Sequence, residues 1–271
     1  LKLLYVTLRA QVRALDAQSN GAADKRAIDN STATVFQAVL SILDQTVAKG
    51  FRTVASLVHD SEATVFPEDL AILTAIMQAC LCIPGINQSQ TQILNIMGAH
   101  DAVHIAVSLY SWSDKLAEKG DPVYGELALL FLLELSALPV VAEQLACDGL
   151  LNHLTSASLA AYFDRPNVSP FAETVGPQRC YSIWAKAVVP LLLNILMALG
   201  QTIAPEVAYV LNQFPTLMRN SVARFEAPGA SRTTQLAARG GRGGSRHASS
   251  STFITLLAVT EIHSLALMTR V

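Results

Sequence analysis

Apolar positions in this chain recur every three or four residues and almost never every two, the spacing of helices packed on one side. The pattern is longest over residues 178–225. Gln178 to Gly200 is one apolar run with Pro190 inside it. Ala204 to Phe225 is a second, with Val207, Val210, Leu211, Phe214, Leu217, Met218, Val222 and Phe225 on one stripe of a five-turn helix. Pro190 removes the bond to the carbonyl of Lys186, and Pro215 the bond to that of Leu211, so each bends its helix or splits it. Long helices with one apolar stripe need partner helices to cover it. That need points to a stacked array.

The punctuation elsewhere is also helical. The spacing predicts a helix over 1–17, broken by Ser19-Asn20-Gly21, and another from the cap candidates Asn30-Ser31-Thr32 through Lys49. Gly50 suits the left-handed position after that helix. Pro67-Glu68-Asp69 starts a helix that stops at Pro84-Gly85. Further helices are predicted at 89–97, 101–119, 122–137, 139–147, 149–162, 177–200, 203–225 and 252–269. No alternating run carries a hairpin turn, so the chain is all-α.

A faint internal echo supports a repeat. Asp69-Leu-Ala-Ile-Leu resembles Glu126-Leu-Ala-Leu-Leu, and each leads to a proline, a second apolar helix, then Asp101-Ala-Val or Asp148-Gly-Leu. The starts lie 57 residues apart and the later elements 47 apart, which puts ten extra residues near 84–91 of the first copy. Armadillo and HEAT helix repeats run about 40–47 residues. Residues 227–251, rich in Gly, Ser and Arg, cannot bury a core and are expected to form a disordered loop inside the array. The helix at 252–269 then caps the stack.

Composition narrows the alternatives. Hydrophobic residues make up 51% and charged residues 15% of 271, so the whole chain is not disordered. Uninterrupted apolar runs end early, Ala187–Leu193 at Asn194 and Leu127–Leu133 at Glu134. A membrane span needs about 20 mostly apolar residues, so none is expected, nor is a signal peptide. Leu at position 1 suggests a piece of a longer protein. Cys80, Cys82, Cys147 and Cys180 sit on apolar helical stretches without metal spacing, and are expected to be buried free thiols. Net charge is +2 over 1–60, −10 over 61–176 and +6 over 177–271, a pattern that solvated helix faces explain without a partner.

Chemistry-bearing motifs are sparse. Arg239-Gly-Gly-Arg242-Gly-Gly has only two units and no aromatic, so a linker is favoured over RNA binding. His100 and His104 are four apart, a spacing that can hold a metal, but no third ligand accompanies them. His263 beside Glu261 reads as a helix-surface pair. Glu134 and Glu261 are carboxylates in apolar company, expected to hydrogen-bond a neighbouring helix. No nucleophile elbow, P-loop or dinucleotide fingerprint is present. No catalytic, cofactor or metal residue is therefore assigned, no cofactor is expected, and an enzyme is the least favoured class.

Three blocks carry a resemblance: Tyr181-Ser-Ile-Trp-Ala-Lys-Ala-Val-Val-Pro-Leu-Leu-Leu-Asn-Ile-Leu196, Ala204-Pro-Glu-Val-Ala-Tyr-Val-Leu-Asn-Gln-Phe214 and Ile254-Thr-Leu-Leu-Ala-Val-Thr-Glu-Ile-His-Ser-Leu-Ala-Leu267. They resemble the C-terminal region of the large inner-ring scaffold nucleoporins of the 188-kilodalton class. The resemblance implies an irregular right-handed α-solenoid of armadillo- and HEAT-like helix pairs and triplets, continuous over 1–271. It implies a scaffold role at the nuclear pore in nucleocytoplasmic transport, at the nuclear envelope without membrane insertion. Its implied partners are other inner-ring nucleoporins and phenylalanine-glycine repeats, with no small-molecule substrate and nucleic acid not favoured. It assigns no partner-binding residue. The rival readings are a soluble armadillo/HEAT transport receptor or adaptor holding peptides in its groove, and RNA binding through 232–246.

Overall fold

The computed structural model describes residues 1–19, 25–60, 65–113, 120–165, 167–226 and 255–271. Among them there are helices and turns but no strand. The α-helices are α1 (Lys2–Ser19), α2 (Lys25–Ile42), α3 (Lys49–His59), α4 (Pro67–Leu81), α5 (Gln90–Ala99), α6 (Ala102–Trp112), α7 (Val123–Ser136), α8 (Pro139–Cys147), α9 (Leu150–Ser156) and α10 (Ala160–Phe163). They continue with α11 (Val175–Ile183), α12 (Val189–Leu199), α13 (Ala204–Asn212), α14 (Pro215–Glu226) and α15 (Leu256–Met268). Wide π turns at Leu43–Ala48 and Trp184–Val188 join α2 to α3 and α11 to α12.

Equivalent helices stack on one another. α1 packs on α4, the first π turn on α5, and α3 on α6. One layer further, α4 packs on α7, α5 on α8 and α6 on α9. In the next, α7 meets α11 and α12, α8 meets α12, and α9 meets α13. The unit is thus a helix triplet, and four triplets form a solenoid with α15 laid against α12, α14 and the second π turn. The echo between 69–103 and 126–150 is this stacking relation. The extra residues of the first copy form a short 3-10 turn, Ile86–Ser89, after Gly85. Gly85 has φ +87, and its Cα lies where an added Cβ would sit 3.0 Å from the ring of Phe36, so only glycine fits both demands.

Local chemistry explains most boundaries. α4 and α8 begin on Pro67 and Pro139 at their first turns, where a missing N–H costs nothing. Glu68 and Asp69 add negative charge at the α4 N-terminus. The core follows the stripes: Leu70, Leu73, Ile76, Met77 and Cys80 of α4 are buried, as are Leu129, Leu132 and Leu135 of α7. Phe51 of α3 stacks on Phe131 of α7 with ring centroids 3.9 Å apart.

Several expected boundaries are corrected. Gly50 does not end a helix, because α3 continues to His59. A Cβ there would lie 3.2 Å from the Leu73 side chain, so the glycine lets α3 approach α4. The helix expected over 149–162 is split, since Ala157 is extended (φ −63, ψ 143) between α9 and α10. The five-turn helix over 204–225 is two helices, with Pro215 opening α14. The break turns Phe214 inward, 5.3 Å from Trp184 and 5.6 Å from Phe163. Asp164 accepts a 3.0 Å bond from the Thr216 N–H, serving one free donor of the new helix start.

Pro190 behaves differently. Val175–Thr202 is helical throughout its 28 residues. Just before the proline the Val189 N–H bonds the carbonyl of Trp184, five residues back. That wide turn shifts the backbone register where the proline ring would otherwise meet a carbonyl. By length and composition this helix could cross a membrane, although the sequence runs suggested no span. Its apolar side chains, from Tyr181 through Leu196, are mostly buried against α7, α8 and α15.

Glycine packing gives a stability test. A Cβ at Gly125 would lie 2.8 Å from the Ser113 Cβ, whereas one at Gly98 meets nothing within 4 Å. Gly125→Ala should lower unfolding free energy by about 1–3 kcal/mol. Gly98→Ala should raise it by about 0.4–1 kcal/mol. Urea unfolding of both variants checks the pair.

Candidate interaction surfaces

Polar groups, from the exposed Gln78 to the buried Tyr110, are tied across the stack at a recurring sequence separation. Gln78 donates to Glu134 (2.9 Å), Tyr110 to the Leu154 carbonyl (3.0 Å), Tyr124 to the Val65 carbonyl (3.1 Å) and Asn194 to Ser136 (2.9 Å). The partners are 44 to 59 residues apart in sequence, about one layer. Apolar seams tolerate sliding, whereas these bonds have one geometry, so they fix register between layers.

The strongest tie joins layers three and four. Arg179 of α11 donates to both carboxylate oxygens of Asp121 (2.9 and 3.2 Å) and to Glu126 of α7 at 2.5 Å. Ser182 donates to the other Glu126 oxygen at 2.6 Å. Glu126 is buried, so removing Arg179 would strand a carboxylate in the seam. Sequence reading missed this clamp. Its only signal was a lone arginine placed one repeat length after two acids.

The capping helix is held by a carboxylate. Glu261 is fully buried and accepts from the Tyr181 hydroxyl (2.6 Å) and the Trp184 indole N–H (2.8 Å). The Ser221 hydroxyl lies within hydrogen-bond reach of both Glu261 and the Leu217 carbonyl. The fully buried positions of α15 are Ala258, Glu261 and Ser264, so hydrogen bonding adds to the apolar packing of Leu257, Leu265 and Met268. The expected bonding of Glu134 and Glu261 to neighbouring helices is observed. The expected surface pairing of Glu261 with His263 is not: His263 is exposed while Glu261 faces inward.

The remaining candidates separate. His100 ends α5 and His104 lies within α6, with Asp101 at φ +58 between them, so they do not share a helix. His100 instead meets Asp44 at 2.6 Å, and that hydrogen bond, with a second from Gln45, lowers the Asp44 pKa. Cys80 and Cys180 are buried free thiols, and burial pushes them up to about 12 and about 11. Cys82 and Cys147 are exposed, contrary to expectation, because they fall at and beside helix ends. No cluster of three metal-ligating side chains occurs among the described residues. The Arg-Gly motif and the expected loop at 227–251 lie outside the described residues.

Open grooves also lie on the stack among the described residues. One, about 1380 Å³, runs past Phe66, Tyr162 and Val175 beside the Arg179 clamp. Another, about 690 Å³, lies between α5–α6 and α8–α9.

A stack of this kind is shared with known proteins. The family model for the nuclear pore protein NUP188 C-terminal domain matches residues 1–271. The chain belongs to this family. It is 53% identical over its whole length to nucleoporin NUP188 of Chaetomium thermophilum, of which it covers 15%. It is 26% identical over 55% of its length to nucleoporin nup184 of Schizosaccharomyces pombe, covering 9% of that protein. A solved fragment of Nup188 from Myceliophthora thermophila superposes with a TM-score of 0.74 at 51% identity, over 97% of this chain and 74% of that one. The family assignment agrees with the resemblance carried by the three sequence blocks, and the fold is the helical solenoid it implied.

The capping latch predicts that Glu261→Leu, which strands buried donors, lowers unfolding free energy by about 3 kcal/mol or more. The exposed Glu143→Gln should change it by less than about 0.5 kcal/mol. Glu134 gives a signed pH effect. Burial raises its pKa above the ordinary 4.5, partly opposed by the Gln78 hydrogen bond. The folded state therefore holds the proton more tightly, so the penalty is absent below 4.5 and grows as pH rises through the folded value. Glu134→Gln should raise Tm at pH 7, and the gain should vanish toward pH 4 in paired melting curves.

Proposed function

We propose that this chain is a structural interaction module of the nuclear pore scaffold, one continuous solenoid segment of a longer protein. The observation that carries the reading is family membership over all of residues 1–271, joined to a stack whose polar side chains bond across layers. Function in such a module is shape: fixed layer register presents fixed outer surfaces to other proteins.

The chain spans only a small part of the nucleoporins it resembles, so the role of the whole protein is inferred. On this reading it resides at the nuclear pore, contributes to nucleocytoplasmic transport as architecture, and catalyses nothing. Glu126 and Glu261, the fully or nearly buried acids, serve hydrogen bonds between helices. Its partners are other nucleoporins of the inner ring, with phenylalanine-glycine repeats as a further occupant of its surface. The helix α15 acts as the cap.

Fluorescent tagging of the full-length protein at its own locus tests the reading. Punctate staining of the nuclear rim is expected. Diffuse cytoplasmic signal without a rim would overturn it and restore the soluble-receptor alternative.

A further inference from the structure

Cations are scarce in the middle of the sequence. Between Arg52 and Arg165 the sequence has thirteen Asp and Glu but only two Lys, at 115 and 119. The described residues of α4 through α10 include neither lysine nor arginine. Some of the acids are answered: Arg179 reaches Asp121 and Glu126 from layer four, and Gln78 reaches Glu134.

The groove between α5–α6 and α8–α9 concentrates this imbalance over an apolar floor. Met97 and Leu145 are buried in its base and Val107 is half-buried beside them. Asp101 and Asp148 are exposed at its edge, and among the described residues no lysine or arginine lines it. Asp101 caps no helix with its side chain. Asp148 accepts one bond from Gln144 at 2.7 Å, which leaves carboxylate lone pairs facing outward. The other titratable groups lining it are His104 and His153.

We propose that this groove docks a short cationic segment of a partner protein, an apolar side chain resting on Met97, Val107 and Leu145 and lysine or arginine meeting Asp101 and Asp148. Charge decides the class of occupant. Nucleic acid and anionic membrane are repelled by the exposed Asp101 and Asp148, whereas a basic peptide is attracted and gains desolvated contact with the floor. Size limits its length. The longest flanking helix has 11 residues, about 16 Å, enough for roughly five extended residues at about 3.3 Å each. The inference deepens the scaffold reading by giving one surface a partner chemistry.

The probe is a fluorescent peptide of about a dozen residues carrying leucine and lysine, with a matched peptide in which glutamate replaces lysine. Polarisation titration on the full 271-residue chain should show saturable binding of the lysine peptide and none of the glutamate peptide. Asp101→Asn with Asp148→Asn should weaken it about tenfold, two rim charges together. Asparagine keeps the left-handed preference at 101 and an acceptor for Gln144, so the fold should survive, checked by melting. Glu68→Gln with Asp69→Asn, at the α4 start, should change affinity by less than about twofold if the groove is the site. Equal weakening by that remote pair, binding of the glutamate peptide, or no saturable binding would each overturn the proposal. Loss of peptide binding with nuclear-rim staining intact removes the groove alone. Peptide binding without rim staining removes the scaffold reading alone.

Discussion

No triplet in this chain can close its own apolar surface. α4 to α9 have lengths of 15, 10, 11, 14, 9 and 7 residues, and isolated helices shorter than about 12–15 residues are marginal in water. Each becomes stable only when its counterpart in the next layer covers it. Stability then accumulates by nearest-neighbour contact, as in other repeat proteins. Two further demands follow. The layers must be held in register, because apolar seams resist sliding poorly, and the last layer must be covered. The Arg179 clamp and the other interlayer bonds meet the first demand, and α15 meets the second through Glu261.

Irregularities in the stack are local solutions to the same demand. Gly50 and Gly125 leave room for the side chains of Leu73 and Ser113, which a methyl group would crowd. The π turn before Pro190 keeps a helix continuous through a residue that usually ends one. At Pro215 no such turn occurs, the helix stops, and Phe214 gains a place between Phe163 and Trp184. The same residue type thus has opposite consequences, decided by the backbone register preceding it.

Much of the fold was legible because stacking needs periodic apolar stripes, and stripes are visible in sequence. Pro67, Pro139 and Pro84-Gly85 marked helix ends through properties of their own backbone, and the structure ends helices there. The echo of Asp69 and Glu126 showed the repeat, although its three-helix unit emerged only from the packing. What stayed hidden depended on partners far along the chain. Gly50 resembles a cap until Leu73 is placed beside it, and His100 resembles a ligand until Asp44 meets it. Arg179 carried no local sign of its acids, since they precede it by 58 and 53 residues. The grooves were invisible for the same reason: each is a gap between helices from different layers.

The unbroken helix at Val175–Thr202 has a mechanical meaning. In the second and third layers the first and second positions are separate rods joined at a corner, as α7 and α8 are at Leu138-Pro139. In the fourth layer one rod lies across both, touching α7 and α8 together. It acts as a splint over the corner. A load that would open the angle between α7 and α8 must first bend or detach that rod, so this end of the stack resists flexing where an ordinary triplet would hinge.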